Sequence, residues 1–289
     1  MKAIILAGGT GSRLHPLTAV TSKQLLPVYD KPMIYYPLSV VLLAGATEIL
    51  IITNPEYVDM FRNLLGDGRA LGVKITYAAQ SQPNGVPEAF LIAEDFIDDQ
   101  PVWLVLGDNI FWGHAFSEIL EKVATRKSGA TIFAHYVVNP RDYGVAEVNS
   151  SNMVIGLEEK PKDPKSNWAV VGLYYYDNNV VTYAKSLKPS ARGELEITDL
   201  NRLYMEQGKL ELEQLGRGFA WFDAGNETNL SAASQFIETI EKRQGVKIAC
   251  IEEVAFRMGR ITSTQLLKLA SISSKSSYGQ YLLQITEVS

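Results

Sequence analysis

Short apolar runs and segments of helical period take turns along the first half of the chain. The runs at 2–6, 48–53, 74–78 and 102–106 predict strands, each bounded by turn-forming residues. Between them the spacing predicts helices over 33–43, 57–65 and 87–96, the second preceded by Asn54-Pro55, a cap followed by a first-turn proline. This alternation specifies an α/β fold with a doubly wound, mostly parallel sheet, because parallel neighbours need right-handed crossovers and the helices then cover both faces. Ligands of such sheets bind beyond the carboxyl ends of the strands.

Beyond Ala130 the pattern changes. Strand-like segments at 130–138, 143–148, 154–158 and 169–176 are separated by turns at Asn139-Pro140, 149–152 and 161–164. They are expected to extend the same sheet and to add a small antiparallel part. Helices are predicted at 179–187, 197–207 and 229–243, with strand-like 210–215 and 220–222 between the last two. From Glu252 onward there are two short helical patterns and a Ser-rich patch at 271–277, which suggest a C-terminal helical appendage over 246–289.

Composition narrows the class of function. The chain has 289 residues, 46% of them hydrophobic, enough to bury a substantial core. Its 27 Lys and Arg against 32 Asp and Glu give a net charge of -5, which argues against nucleic-acid or membrane partners, so an anionic ligand must be met by local cations. The single Cys250 has no internal disulfide partner and no Cys/His cluster has zinc spacing; a reducing compartment, the cytoplasm, is expected. The apolar stretch 33–46 is broken by Tyr35, Tyr36, Pro37 and Ser39 and falls short of the ~20 residues of a membrane span.

The strongest local signal is Leu6-Ala7-Gly8-Gly9-Thr10-Gly11-Ser12-Arg13, a glycine-rich loop directly after the first strand. Glycines permit positive φ and let backbone N–H groups approach phosphate oxygens, and Arg13 adds a bidentate cation. Read alone, such a loop can also be a tight turn with a surface arginine. It lacks the Gly-Lys-Ser/Thr of a P-loop and the Gly-x-Gly-x-x-Gly of a dinucleotide site. Lys23 follows in Ser22-Lys23-Gln24-Leu25-Leu26-Pro27 and completes a phosphate clamp. Asp108 and Asp223 each end an apolar strand; either alone could be a helix cap, whereas the two converging over a cleft would suit Mg²⁺. In Leu157-Glu158-Glu159-Lys160-Pro161 the turn can bend Glu159 and Lys160 into a cleft or leave a surface ion pair. His15, His114 and His135 have no triad or ligand spacing, and no serine sits in a nucleophile elbow.

Taken in order, these residues resemble the nucleotidyltransferases that activate sugar 1-phosphates, whose mark is L-A-G-G-x-G-x-R-L…P-x-T…K…P. Residues 6–16, Thr18, Lys23 and Pro27 match it. The segment 22–39, with 106–109, 143–145, 157–161, 193–199 and 216–218, narrows the resemblance to the branch that uses glucose 1-phosphate and dTTP, over nearly the whole chain. The resemblance implies that Gly8, Gly9, Thr10, Gly11, Arg13, Lys23, Gln24 and Asp108 hold the nucleoside triphosphate, and that Gln80, Pro83 and Gly85 surround the base. It implies that Asn109, Tyr143, Gly144, Glu159, Lys160, Val170, Tyr174 and Trp221 line the sugar-phosphate pocket, and that Asp108 and Asp223 bind Mg²⁺. Arg13, Lys23, Lys160 and Asp108 would then carry the catalysis. The nucleotide part would occupy 1–130 and the sugar-phosphate part 131–225 of a domain covering 1–245. A homotetramer and feedback by an end-product nucleotide sugar are also implied. The chain departs from the familiar base-loop pattern Q-P-S-P-D-G-L-A-Q-A-F, reading Gln80-Ser81-Gln82-Pro83-Asn84-Gly85-Val86-Pro87-Glu88-Ala89-Phe90. Pro87 suits the first turn of the next helix and Glu88 its positive end. Around Asp223 the family more often has Leu before the acid and Thr after it. The alternatives are a pyrophosphorylase for another nucleotide or sugar, a non-catalytic nucleotide-sugar sensor and, more distantly, a dinucleotide-dependent oxidoreductase.

Overall fold

The computed structural model describes residues 1–288. Strand β1 (Lys2–Ala7) runs into the glycine loop; a hairpin of β2 (Pro27–Val28) and β3 (Lys31–Pro32) leads to α1 (Tyr35–Leu43). Then follow β4 (Glu48–Thr53), α2 (Val58–Leu65), β5 (Lys74–Ala79), α3 (Glu88–Ile92), α4 (Glu94–Ile97), β6 (Val102–Leu106), β7 (Asn109–Trp112) and α5 (Phe116–Ala124). The second half contains β8 (Ala130–Tyr136), β9 (Gly144–Val148), β10 (Val154–Glu159), β11 (Trp168–Tyr176), α6 (Asn179–Ser186), α7 (Ile197–Glu206), β12 (Leu210–Leu215) and β13 (Ala220–Asp223). Helices α8 (Glu227–Gln244), α9 (Ile251–Arg257), α10 (Ser263–Ile272) and α11 (Ser277–Val288) close the chain.

Nine strands form one mixed sheet, ordered β10-β9-β11-β6-β1-β4-β5, with β8 on the other edge of β11 and β12 beyond it. Strands β5, β4, β1 and β6 are mutually parallel, with Ile4 opposite both Leu50 and Leu104. The chain moves outward from β1 through β4 to β5, then returns to place β6 on the opposite side of β1. That reversal is the switch point at which a doubly wound sheet opens a crevice. The alternating faces of β1 feed different cores. Ala3, Ile5 and Ala7 pack with α1, α5 and the C-terminal helices, and Ile4 packs with α3, α6 and α7. A third core joins the β2–β3 hairpin, β7, β13 and α8 through Val28, Met33, Ile110 and Leu230. No described helix is long and apolar enough to cross a membrane.

The structure corrects the sequence-based elements at several points. Strands β8 to β11 need no correction: they extend the same sheet and form its antiparallel part, β11 carrying β8 along one edge and, along the other, β9 at Ala169 and β6 at 173–176, with β10 antiparallel to β9. Two small detached sheets were not foreseen, β7 with β13 and β2 with β3. The helix expected over 87–96 is two short ones, broken at Ala93, whose backbone (φ -92°, ψ 10°) leaves the helical region. Three helices, not two, form the tail. Helix α8 begins at Glu227, where the Asn226 side chain accepts from the Asn229 amide at 2.9 Å and fixes the start.

Candidate active site

Two adjoining hollows open at the switch point. One, of about 200 Å³, is lined by Gly8, Gly9, Lys23, Gln24, Gln80, Pro83, Gly85 and Asp108. The other, of about 390 Å³, is lined by Arg13, Asn109, Tyr143, Gly144, Glu159, Lys160, Val170, Tyr174, Trp221 and Asp223. Lys23, Val86, Leu106, Asp108 and Glu194 belong to both walls, so the two hollows form one continuous cleft. Thr10 and Gly11 lie in the glycine loop without lining either hollow. Gly11 instead shapes the turn: its φ of 60° starts the short helical turn that carries Arg13, and its carbonyl accepts from Thr18 Oγ1 at 2.9 Å.

The loop's conformation is set by its neighbours. The Gly9 amide donates to Asn54 Oδ1 at 3.1 Å, tying the carboxyl ends of β1 and β4 together. The base-side loop is closed by a bridge from Gly85 to Leu195, and the Leu195 amide donates to the Asn84 carbonyl at 2.8 Å. A Cβ at position 85 would stand 2.1 Å from the Leu195 carbonyl oxygen, so only glycine fits, and its φ of 105° agrees. Gln24 is buried; its Oε1 accepts from Ser22 Oγ at 2.5 Å, while its Nε2 has no partner.

The acids meet because β7 and β13 pair, with Asp223 opposite Asn109, and the Ala224 amide donates to the Asp108 carbonyl at 2.9 Å. Burial works against the charged form of Asp108, yet its ion pair with Lys23 and the Asn109 amide (3.1 Å) outweigh it and hold the carboxyl below its usual range. Asp223 is pushed the other way, by burial and by the negative charge of Asp108. Two carboxylates that resist ionising together are a fitting seat for a divalent cation. Among the described residues no group of three or more His, Cys, Asp or Glu gathers, so further ligands would come from phosphate or water. Arg13 borders the same pair: a Cβ on Gly225 would stand 2.7 Å from Arg13 Nη2 and 2.9 Å from Asp223 Oδ1.

Asn109 is the brace of this arrangement. Its Oδ1 accepts from the Gly172 amide (2.9 Å) and from Trp221 Nε1 (2.7 Å), which turns its Nδ2 toward Asp108. At the far end of the cleft the turn after β10 bends both Glu159 and Lys160 inward. Lys160 has φ 46°, a left-handed value unusual for a lysine, and its amide donates to the Tyr143 carbonyl at 3.0 Å. Glu159 accepts from Thr198 Oγ1 at 2.6 Å and from Arg192 at 3.3 Å.

Sequence reasoning left out Asn54, Val86, Leu106 and the 192–198 segment, from which Arg192, Glu194, Leu195, Glu196 and Ile197 line the sugar end. Arg192, paired with Glu196 at 2.6 Å, adds a cation there. Glu194 to Ile197 stand in a segment, 193–199, that already carried part of the resemblance, but the fold alone brings it across to β10.

A glycine loop, two facing acids and cations from three separate segments around one switch-point cleft define a nucleotidyl transferase. The chain belongs to that family, which matches residues 2–240 and generally uses a divalent metal. It is 54% identical over 285 residues to the glucose-1-phosphate thymidylyltransferase of Neisseria meningitidis, covering 99% of each chain. It is 52% identical over 287 residues to that of Mycobacterium tuberculosis, again covering 99% of each. A Bacillus anthracis protein assigned as a glucose-1-phosphate thymidylyltransferase, solved in complex with sucrose, superposes with a TM-score of 0.76 at 43% identity, covering 82% of this chain and 94% of that one. A UDP-glucose pyrophosphorylase bound to UDP-glucose shares the fold, with a TM-score of 0.72 at 24% identity, covering 82% of this chain and 98% of that one.

Proposed function

We infer that the chain transfers the thymidylyl group of dTTP to α-D-glucose 1-phosphate, giving dTDP-glucose and pyrophosphate, with Mg²⁺ as the divalent ion. The observation that carries this reading is that Arg13, Lys23, Asp108, Lys160 and Asp223 border one cleft. A phosphate oxygen of glucose 1-phosphate forms a bond to the α-phosphorus while the α–β P–O bond breaks on the opposite side, its electron pair leaving with pyrophosphate. The nucleophile is already an anion, so no base is required. The work lies in bringing ligands of about -4 and about -2 charge into line, against repulsion of about 1 kcal/mol per unit pair at ~4 Å even in water.

Arg13 stabilises the developing charge and the leaving group, Lys23 the triphosphate, and Lys160 with Arg192 the sugar phosphate. Asp108 and Asp223 would hold the Mg²⁺, which would supply Lewis-acid neutralisation of phosphate charge. Gln80, Pro83 and Gly85 receive the base; Tyr143, Glu159, Tyr174 and Trp221 receive the glucose. A cytoplasmic homotetramer, subject to feedback from the end-product nucleotide sugar and supplying dTDP-deoxysugar synthesis, completes the proposal.

A panel of nucleoside triphosphates and sugar 1-phosphates, with and without Mg²⁺ and read by pyrophosphate release, tests it. The pair dTTP and glucose 1-phosphate is expected to lead. UTP should be used measurably, because the base methyl is worth only ~1–3 kcal/mol. Arg13→Ala should lower kcat by about 10²-fold or more with folding intact. Equal turnover of an unrelated nucleotide, or full activity of Arg13→Ala, refutes the reading.

A further inference from the structure

We propose that Glu88 is a positioning residue that fixes the polarity of the base-reading amide, so that the cleft takes a pyrimidine carrying an N3–H and rejects cytosine. The proposal rests on the function inferred above and deepens it. Gln80, buried at the carboxyl end of β5, donates through Nε2 to Glu88 Oε2 at 2.6 Å and reaches the Gly85 carbonyl at 3.5 Å. The other oxygen of Glu88 is engaged by Asn84 Nδ2 at 2.7 Å. An ionised carboxylate has no hydrogen to give, so the amide of Gln80 can meet it only through its NH₂ end. Turning the amide over would press oxygen against oxygen.

The consequence falls on the other end of the amide. The side-chain hydrogen bonds of Gln80 run from Nε2, and its Oε1 lies over the bare Cα of Gly8, where a Cβ would stand 2.7 Å away. It is a fixed acceptor in the wall of the hollow formed by Gly8, Gln80 and Gly85. Thymine and uracil present an N3–H donor between two carbonyls and satisfy it. Cytosine presents a lone pair at N3, which leaves two acceptors facing one another and one of them unpaired. The related loop pattern has Gln where this chain has Glu88. A glutamine can give or accept a hydrogen bond, so it would leave the Gln80 amide free to turn.

The test compares kcat/KM for dTTP and dCTP, each with glucose 1-phosphate, in the wild-type chain, Glu88→Gln and Glu88→Ala, with thermal melting as the check on folding. The wild type should favour dTTP strongly, and both variants should narrow the dTTP-to-dCTP ratio by about tenfold through a gain with dCTP. A purely structural role would lower both substrates in parallel and leave the ratio where it was, which overturns the proposal, as does a wild type that uses dCTP as readily as dTTP. A wild type that turns over neither dTTP nor UTP overturns the underlying function, and this proposal with it, before any variant is made.

Discussion

Among single residues, Lys160 separates what the fold needs from what the chemistry needs. Its left-handed backbone costs about 1 kcal/mol for a residue with a Cβ and nothing for glycine, while its side chain is one of the cations at the sugar end. Lys160→Gly and Lys160→Ala should therefore lose kcat/KM for glucose 1-phosphate alike, but the glycine variant should be the more stable by about 1 kcal/mol in urea unfolding. Equal stability of the two variants would show that the backbone there bears no strain. Much of the residue scale was legible in the chain: Arg13, Lys23, Asp108, Glu159, Lys160 and Asp223 all reach the cleft. What was illegible are partnerships between loops. Glu88 reads as a charge at a helix start and turns out to hold Gln80; Arg192, which sequence reasoning passed over, stands opposite Glu159.

Between elements, the decisive feature is the shared edge of β11, where β6 ends and β9 begins. Gly172 sits at that junction, and its missing side chain is what lets Asn109 approach: a Cβ there would meet Leu106 Cδ1 at 2.7 Å and Asn109 Cγ at 2.8 Å. Asn109 cannot retreat without stretching its bonds to Gly172 and Trp221 and turning away from Asp108. Gly172→Ala should cost about 1–3 kcal/mol of stability by overpacking. It should also lower kcat, because the brace on Asp108 is displaced. An unchanged urea midpoint together with unchanged turnover would dismiss this account. Strand β7 was hidden in the sequence because it is only 4 residues long, flanked by loops, and pairs with β13 some hundred residues later. Helix α5 was passed over as well, although Phe116, Ile119, Leu120 and Val123 recur at helical spacing.

For the whole molecule, the C-terminal helices are bound into the principal core. Ile251, Ala255, Leu266, Ala270 and Leu282 pack in the same cluster as Leu38, Val41 and Leu42 of α1, which backs the central strands. Within this seam Glu252 accepts from the Tyr278 hydroxyl at 2.5 Å, and Cys250 Sγ lies 3.8 Å away. Burial raises the Glu252 carboxyl above its ordinary value of 4.5, the hydrogen bonds from Tyr278 and Cys250 and the charge of Lys31 offsetting only part of that rise. A carboxyl whose folded value lies above its unfolded one favours folding fully only below the unfolded value, where both states hold the proton. As the pH rises past about 4.5 the unfolded chain ionises first, and the advantage is lost until the folded value is passed. Glu252→Gln keeps the acceptor for Tyr278 and removes the titration. Melting temperatures of the two proteins should converge near pH 4, with the variant gaining steadily toward neutrality. A gap that closes as the pH rises would mean that Glu252 is held as a carboxylate, paired with Lys31 across the seam, and that charge rather than buried hydrogen bonding joins the tail to the body.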